Sequence, residues 1–172
     1  MGLMDDLGYE AKSPNRLQQV MQRLGSTRLS GRILSKTLYP MDRALFKATG
    51  GRTTVSGVLG GLAVIMLTTT GAKSGKLRTM PLIGIPLGND LAIIGTNYGQ
   101  ESTPGWVYNL EASPAAAVGY RDKIVAVTAR RADESETDRA FDLAAAVLTA
   151  YAEYRLRADH RAIRAFVLQS TA

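Results

Sequence analysis

One stretch constrains this chain more than any other. An apolar run from Leu62 to Leu67 enters Thr68-Thr69-Thr70, turns through Gly71-Ala72-Lys73-Ser74-Gly75-Lys76, and leaves as Leu77-Arg78-Thr79-Met80-Pro81-Leu82. Two such runs around a glycine-bearing turn predict two strands and a tight loop. Gly71 and Gly75 let the backbone turn with positive φ. Lys73, Lys76 and Arg78 set three cations among Ser and Thr hydroxyls within six residues, which suits phosphate or carboxylate. A solvated turn whose lysines keep a sheet edge soluble would use the same residues. The loop by itself leaves both readings open.

Two better-known phosphate motifs are excluded. A Walker loop needs Gly, four residues, then Gly-Lys-Ser/Thr; here Thr70 stands where the first Gly belongs and Leu77 where the hydroxyl belongs. A dinucleotide fingerprint sets its glycines between a strand and a helix, whereas Pro81 and the apolar residues around it predict a strand. Strand, basic loop, strand points to the rim of a β-barrel.

The 172 residues suffice for one domain with a full apolar core. We expect an N-terminal tail and basic helical arm over 1–52 and a barrel domain over 53–172. The formal charge is +6 and favours anionic partners: a phosphorylated cofactor, an anionic membrane surface or nucleic acid. With no cysteine and His160 as the only histidine, thiolate chemistry, a multi-histidine metal site and a histidine-bearing triad are set aside, and no metal site is expected. Any chemistry must then come from a bound organic cofactor, or none occurs. His160 itself reads as a surface residue near a helix end. No apolar run is long enough to span a bilayer, and acids at Asp5 and Asp6 sit where a signal peptide needs cations, so a cytoplasmic chain is expected.

Residues 1–13 show no sustained period and read as a loosely ordered tail. Helices are expected from Asn15 to Gly25, over Gly31–Leu38 and over Met41–Ala48. Nine of the 21 Lys/Arg but four of the 15 Asp/Glu fall in residues 1–52. Such an arm can lie on an anionic membrane at the inner face of the cell, or pack over the barrel with its lysines outward. Strands follow at Leu62–Thr70, Arg78–Leu87 and Leu91–Tyr98, read as a three-stranded meander with a turn at Gly88-Asn89-Asp90. Pro104 opens a short helix, Gly105 to Glu111. Ala115–Tyr120 and Lys123–Arg130 are two further strands. A long helix starts at the acids Asp133, Glu134 and Glu136 and carries Phe141, Ala144, Leu148 and Tyr151 on one face. A last strand covers Ile163–Leu168. The sum is a mainly β, α+β protein: a six-stranded antiparallel barrel with an N-terminal helical arm and a C-terminal helix.

Two separated segments resemble one family. Thr69 to Leu82 is similar to a T-x-G-R-K-S-G-x-x-R-T-x-P-L loop, and Pro104-Gly105-Trp106-Val107-Tyr108-Asn109-Leu110-Glu111-Ala112-Ser113-Pro114 to a P-x-W-x-x-N-L-x-A-N-P helix. Both belong to the actinobacterial deazaflavin-dependent nitroreductases and quinone reductases of the split β-barrel, FMN-binding-like superfamily. The residues at 44–51 and 127–130 add weaker support, and the resemblance spans roughly 40–168. It implies a split barrel that binds coenzyme F420, an 8-hydroxy-5-deazaflavin with a phospholactyl polyglutamate tail, with FMN second. It also implies hydride transfer from the reduced coenzyme to a hydrophobic conjugated acceptor such as a quinone or nitroaromatic. The alternative is a non-catalytic barrel that binds F420, another flavin or an apolar acid such as a fatty acid.

By the same resemblance Lys73, Ser74, Gly75, Lys76 and Arg78 would hold the tail. Thr79, Met80 and Pro81, with Thr96, Asn97, Tyr98 and Gly99, would line the ring. Trp106 would be a flat neighbour of coenzyme or substrate, or a core residue; Asn109 would bond either cofactor or loop backbone. Tyr151 and Tyr108 are the implied catalytic hydroxyls, and Tyr151 serves equally well as core. Nucleic acid is set aside, because only Tyr39 and Phe46 stand as aromatic platforms in the basic arm. A monomer or homodimer fits. The sequence departs from the family pattern at Ala72, where Arg is common, at Val107 and Tyr108, and at Arg164, where Pro is common.

Overall fold

The computed structural model describes residues 2–10, 37, 40–42, 44–49, 55, 61–97, 100–148, 150–157 and 162–171. Seven strands make one antiparallel sheet in the order β2-β1-β5-β6-β7-β4-β3. They are β1 (Val64–Thr70), β2 (Leu77–Ile83), β3 (Ile85–Leu87), β4 (Asp90–Ile94), β5 (Ala115–Tyr120), β6 (Lys123–Arg131) and β7 (Ala165–Ser170). The two edges of this sheet, β2 and β3, are consecutive in the chain and separated by Gly84 alone. One residue thus carries the chain from one sheet edge to the other, and the sheet wraps into a split barrel.

This corrects the expected meander. The run 78–87 is not one strand but two, which pair at opposite edges: β2 with β1, β3 with β4. Gly84 is the corner. A Cβ there would stand 3.3 Å from Ile65 Cγ2 and from the Tyr9 hydroxyl, and 3.4 Å from Leu91 Cδ1, so a bend this close to the core has little room for a side chain. The seventh strand arises from this break.

Register decides which residues line the interior. Leu67 lies opposite Met80 and Val118, Val118 opposite Val125, Ala129 opposite Leu168, Leu168 opposite Leu91, and Ile93 opposite Phe166. Residues directly opposite point to the same face, so these form one apolar layer. Two helices close it. At the end marked by Tyr120 and the Gly88-Asn89 turn sits α1 (Leu3–Leu7); at the end marked by Thr70, Ala115 and Ile94 sits α2 (Gly105–Ala112). Leu3 and Leu7 from one helix and Trp106, Val107 and Leu110 from the other are at most 2% exposed and join the same core.

The ordered α1 overturns the expectation of a loose tail for residues 2–10; residues 1 and 11–13 lie outside the described residues. Met4 N–H donates to the Asn89 carbonyl at 3.0 Å, Leu3 N–H to Asp90 Oδ1 at 3.2 Å, and Lys123 Nζ to the Asp6 carbonyl at 2.9 Å. A domain boundary at 52/53 therefore leaves a piece of the barrel core on the far side of it. Of the arm, residues 44–48 are helical, and Phe46 Cζ lies 3.4 Å from where a Cβ on Gly119 would stand. That part of the arm packs on the outer surface of the barrel. The helices expected between Asn15 and Leu38 lie outside the described residues, save for helical Thr37.

The opposite face of β4 and β7 carries a second core. Ala92, Ile94, Ala165, Val167 and Ile85 pack under α3 (Glu134–Val147) and α4 (Ala150–Arg157), which bring Phe141, Ala144, Tyr151 and Tyr154. The single long helix expected here ends at Val147, where Leu148 takes an extended conformation, φ −140° and ψ 104°. No described helix is long and apolar enough to cross a membrane.

Candidate functional site

Strand β1 delivers Thr69 to the α2 end of the barrel on the inward-facing register, two residues after Leu67. Its side chain is 1% exposed, and a hydroxyl so placed needs a partner. Asn109 supplies it: Nδ2 donates to Thr69 Oγ1 at 3.0 Å, and Oδ1 accepts from the Ala72 N–H at 2.9 Å. One amide side chain on α2 thus holds both the end of β1 and the first turn of the basic loop. Of the two partners expected for Asn109, the loop backbone is in contact with it through the Ala72 N–H.

The loop is closed from within as well. Gly71 N–H donates to the Lys76 carbonyl at 2.9 Å, Gly75 N–H to the Gly71 carbonyl at 2.8 Å, and Lys76 N–H to Ser74 Oγ at 3.3 Å. Gly75 sits at φ +63°, which an L side chain rarely adopts. A Cβ on Gly71 would stand 2.6 Å from Ser74 Oγ. The sequence needs both glycines, one for its dihedral and one for space.

Lys73, Ser74, Lys76 and Arg78 are all exposed. Among the described residues the ion pairs are Arg121–Glu10, Arg130–Glu136, Arg131–Glu111, Arg155–Asp138 and Arg164–Glu111, and none of them involves a loop cation. Three exposed cations have no carboxylate partner among the described residues, on a loop whose backbone amides make four hydrogen bonds. Such an arrangement raises the local positive potential and favours a polyanion.

From the loop, β2 runs toward the second core. Thr79, Pro81 and Ile83 share its outer face, and Thr79 Oγ1 is 2.8 Å from Thr68 Oγ1 across the β1 pair. Ile83 packs against the cluster that contains Tyr151 and Tyr154. The outer face of β2 therefore connects the cationic loop to the α4 tyrosines. Met80 points the other way, into the barrel core.

The remaining expected residues divide. Thr96 is 5% exposed, and Asn97, at φ +48°, donates from Nδ2 to the Ser102 carbonyl at 3.0 Å and lies 3.1 Å from Ser102 Oγ, which pins the segment before α2. Tyr98, Gly99 and His160 lie outside the described residues. Trp106 is 1% exposed and meets Phe166 edge-on, with centroids 6.0 Å apart. It is packed as core and offers no face to a ligand. Tyr151 is 6% exposed and sits edge-on between Phe141 and Tyr154. Tyr108, the other phenol expected to be catalytic, is 50% exposed.

Beside Tyr108 lies a cluster on the flank of α2 away from Asn109. Arg164 stacks over the Tyr108 ring, 5.6 Å from its centroid, and its Nε donates to Glu111 Oε1 at 3.1 Å. Arg131 approaches the same oxygen at 3.7 Å. Glu111 thus serves two guanidinium groups, and Arg164 Nη1 is buried with no partner among the described residues. Thr69 and Glu111 were not legible as site residues. For Thr69 a signal existed: a hydroxyl at an inward register position must be answered by some polar neighbour.

The chain matches the F420H(2)-dependent quinone reductase family over residues 39–170. It is 31% identical over 103 residues to the F420H(2)-dependent quinone reductase of Mycobacterium tuberculosis strain H37Rv, which covers 60% of this chain and 68% of the relative. It is also similar to a solved F420-H2 dependent reductase, FDR-A, at 34% identity and TM-score 0.56, over 62% of this chain and 93% of that one. A second solved structure, described as a domain-swapped dimer, has 30% identity and TM-score 0.59, over 75% of this chain and 93% of that one. By the family match over residues 39–170 and these similarities, the chain belongs to the F420H(2)-dependent quinone reductase family.

Proposed function

We propose that the protein reduces a hydrophobic quinone with hydride from coenzyme F420, and that the loop Gly71–Lys76 with Arg78 is where the coenzyme's anionic tail binds. The observation that carries this reading is the set of three exposed cations, Lys73, Lys76 and Arg78, without a carboxylate partner among the described residues on a hydrogen-bonded loop. A tail of phosphate and glutamate carboxylates matches them in charge.

When bound, the deazaflavin supplies the hydride, so the chain's own residues have binding and positioning to do. Lys73, Lys76 and Arg78 hold the tail electrostatically, the Ser74 hydroxyl adds a donor, and Gly75, at φ +63°, shapes the turn that carries them. The outer face of β2 at Thr79 and Pro81 leads from the loop toward α4, and it is the surface we assign to the ring together with the segment beginning at Thr96 and Asn97. Of the two phenols, Tyr108 is accessible to an incoming acceptor, whereas Tyr151 contributes from within the apolar wall. Tyr108 is accordingly our choice for the group that hydrogen-bonds the acceptor oxygen and relays a proton to it from water. Trp106 and Asn109 support the site from behind and do not touch the ring.

A fluorescence titration with oxidised F420, with FMN alongside, tests the coenzyme; oxidation of F420H2 by menadione tests the reaction. Saturable F420 binding with turnover supports the reading. Binding without turnover would reduce the protein to a carrier, and preference for FMN would replace the coenzyme.

A further inference from the structure

We infer that Asn109 is a positioning residue that makes the site selective for deazaflavins that carry an anionic tail. The inference rests on the coenzyme reading above and adds a mechanism of discrimination to it. Three observations carry it. The Asn109 amide is bonded at both ends to protein, Nδ2 to Thr69 Oγ1 at 3.0 Å and Oδ1 to the Ala72 N–H at 2.9 Å. Its helix is anchored through Trp106, Val107 and Leu110, each at most 2% exposed, so the side chain projects from a fixed base. The loop it grips bears only exposed side chains from Ala72 to Arg78, and no apolar residue there is buried to hold it down.

A loop of this composition is poorly restrained by packing. Its internal bonds, Gly71 N–H to Lys76 and Gly75 N–H to Gly71, set its curl but do not fix the curl to the barrel. Asn109 ties it to α2 at Ala72, and Thr69 extends the tie into the core. Lys73 and Ser74 follow Ala72 directly, so the bond at Ala72 fixes where these two side chains emerge. Ordering the cations before binding removes a conformational cost that would otherwise be met when the tail arrives. Asn109 therefore acts on the tail, through the loop, and leaves the ring surface on β2 unaffected. Ala72 also contributes its only polar donor to this bond, so the first amide of the turn is committed to the clamp and unavailable to phosphate.

The test compares two ligands and two variants. Wild type, Asn109→Ala and Thr69→Val are titrated with F420 and with the tail-less 8-hydroxy-5-deazariboflavin, and amide hydrogen exchange at Ala72 is followed in all three. Loss of the two bonds should weaken F420 binding about tenfold in Asn109→Ala, with the tail-less ligand changed less than about twofold. Ala72 exchange should accelerate. Thr69→Val removes one bond from the other side and should give a smaller loss of the same selectivity; it keeps the test decisive if Asn109→Ala folds poorly. Equal weakening of both ligands would mean that Asn109 serves the ring or general stability, and unchanged F420 affinity would mean that the loop orders itself; either result overturns the inference. A wild type that binds neither ligand defeats the coenzyme reading and the selectivity together, while unchanged Ala72 exchange in Asn109→Ala defeats the clamp whatever the ligand.

Discussion

The phenolic hydroxyl of Tyr9 donates to the carbonyl oxygen of Gly84 at 2.6 Å, across 75 positions of sequence. Gly84 is where the chain passes from one sheet edge to the other, and a β-ladder leaves its corner carbonyl without a strand partner. Tyr9, 8% exposed, fills that vacancy from the segment that follows α1. Tyr9→Phe should lower the unfolding free energy by about 1–2 kcal/mol, because the Gly84 carbonyl would stay buried and unsatisfied. Gly84→Ala should cost about 1–3 kcal/mol by crowding Ile65, Tyr9 and Leu91. Urea unfolding of each variant measures both; a Tyr9→Phe midpoint equal to wild type would show that the bond contributes nothing.

The same phenol gives the fold an alkaline limit. Burial first, and the neighbouring Tyr120 second, raise the Tyr9 ionisation well above its ordinary value near 10. Ionisation is then easier in the unfolded chain, so the stabilisation is complete below about pH 10 and diminishes as pH rises beyond it. Thermal melts between pH 9 and about 11 should fall more steeply for wild type than for Tyr9→Phe. Parallel curves would assign the alkaline loss to other groups.

What the sequence revealed, and what it hid, follows from the range of the interactions. Strands β5 and β6 were legible to within a residue because the alternation of Val125 and Val127 with Ala126 and Thr128 is local. The break at Gly84 was not, because a bend and a continuous strand have the same apolar pattern, and only the pairing of β2 with β1 and β3 with β4 separates them. The cationic loop could be read from its residue types. Its clamp could not, since Asn109 and Thr69 are 40 positions apart. Trp106 illustrates the reverse: a lone tryptophan beside a proline-opened helix looks equally suited to pocket or core, and only its contact with Phe166 and its burial decide for packing.

The N-terminal helix is part of the barrel by its contacts, which makes truncation informative. Removing residues 2–8 deletes Leu3 and Leu7 from the core and opens the end opposite the loop. Leu3→Ala alone should cost about 2–5 kcal/mol, the range for a buried leucine whose site cannot fully collapse. Chemical unfolding gives the figure. A cost below about 0.5 kcal/mol, as expected of an ordinary surface position, would mean that α1 is not docked in solution.

At the acid end the informative group is Glu136. It closes the capping box of α3, with the Asp133 N–H donating to its Oε2 at 3.1 Å, and it takes a two-pronged bond from Arg130 at 2.7 and 2.5 Å. The Arg130 bond, chiefly, lowers its carboxyl from 4.5 to about 2. A depressed carboxyl stabilises the fold above its unfolded value, and that contribution is lost as pH falls from about 4.5 toward about 2. Glu136→Gln should cost about 1 kcal/mol at neutral pH and progressively less below pH 4, as wild type loses the same charge. A constant difference down to pH 2.5 or so would leave no role for the charge itself.

The loop cations predict an ionic-strength signature that no packing defect would imitate. Lys73, Lys76 and Arg78 are exposed and lack carboxylate partners among the described residues, so removing them frees no buried acid and should barely alter stability. Their attraction for a polyanionic tail is screened over a Debye length of about 8 Å at physiological salt. Lys73→Ala with Lys76→Ala should weaken F420 binding about tenfold in low salt, at less than about 1 kcal/mol per exposed cation. The gap between wild type and variant should narrow as salt rises, because only the electrostatic part is screened. Arg78 alone of the three lies on a strand, with its backbone paired opposite Thr69; Arg78→Gln should therefore lose more affinity than either single lysine variant. Titrations from 20 mM to about 500 mM salt test the set. If the double variant differs from wild type by the same factor at every salt concentration, the loop does not bind the tail through charge.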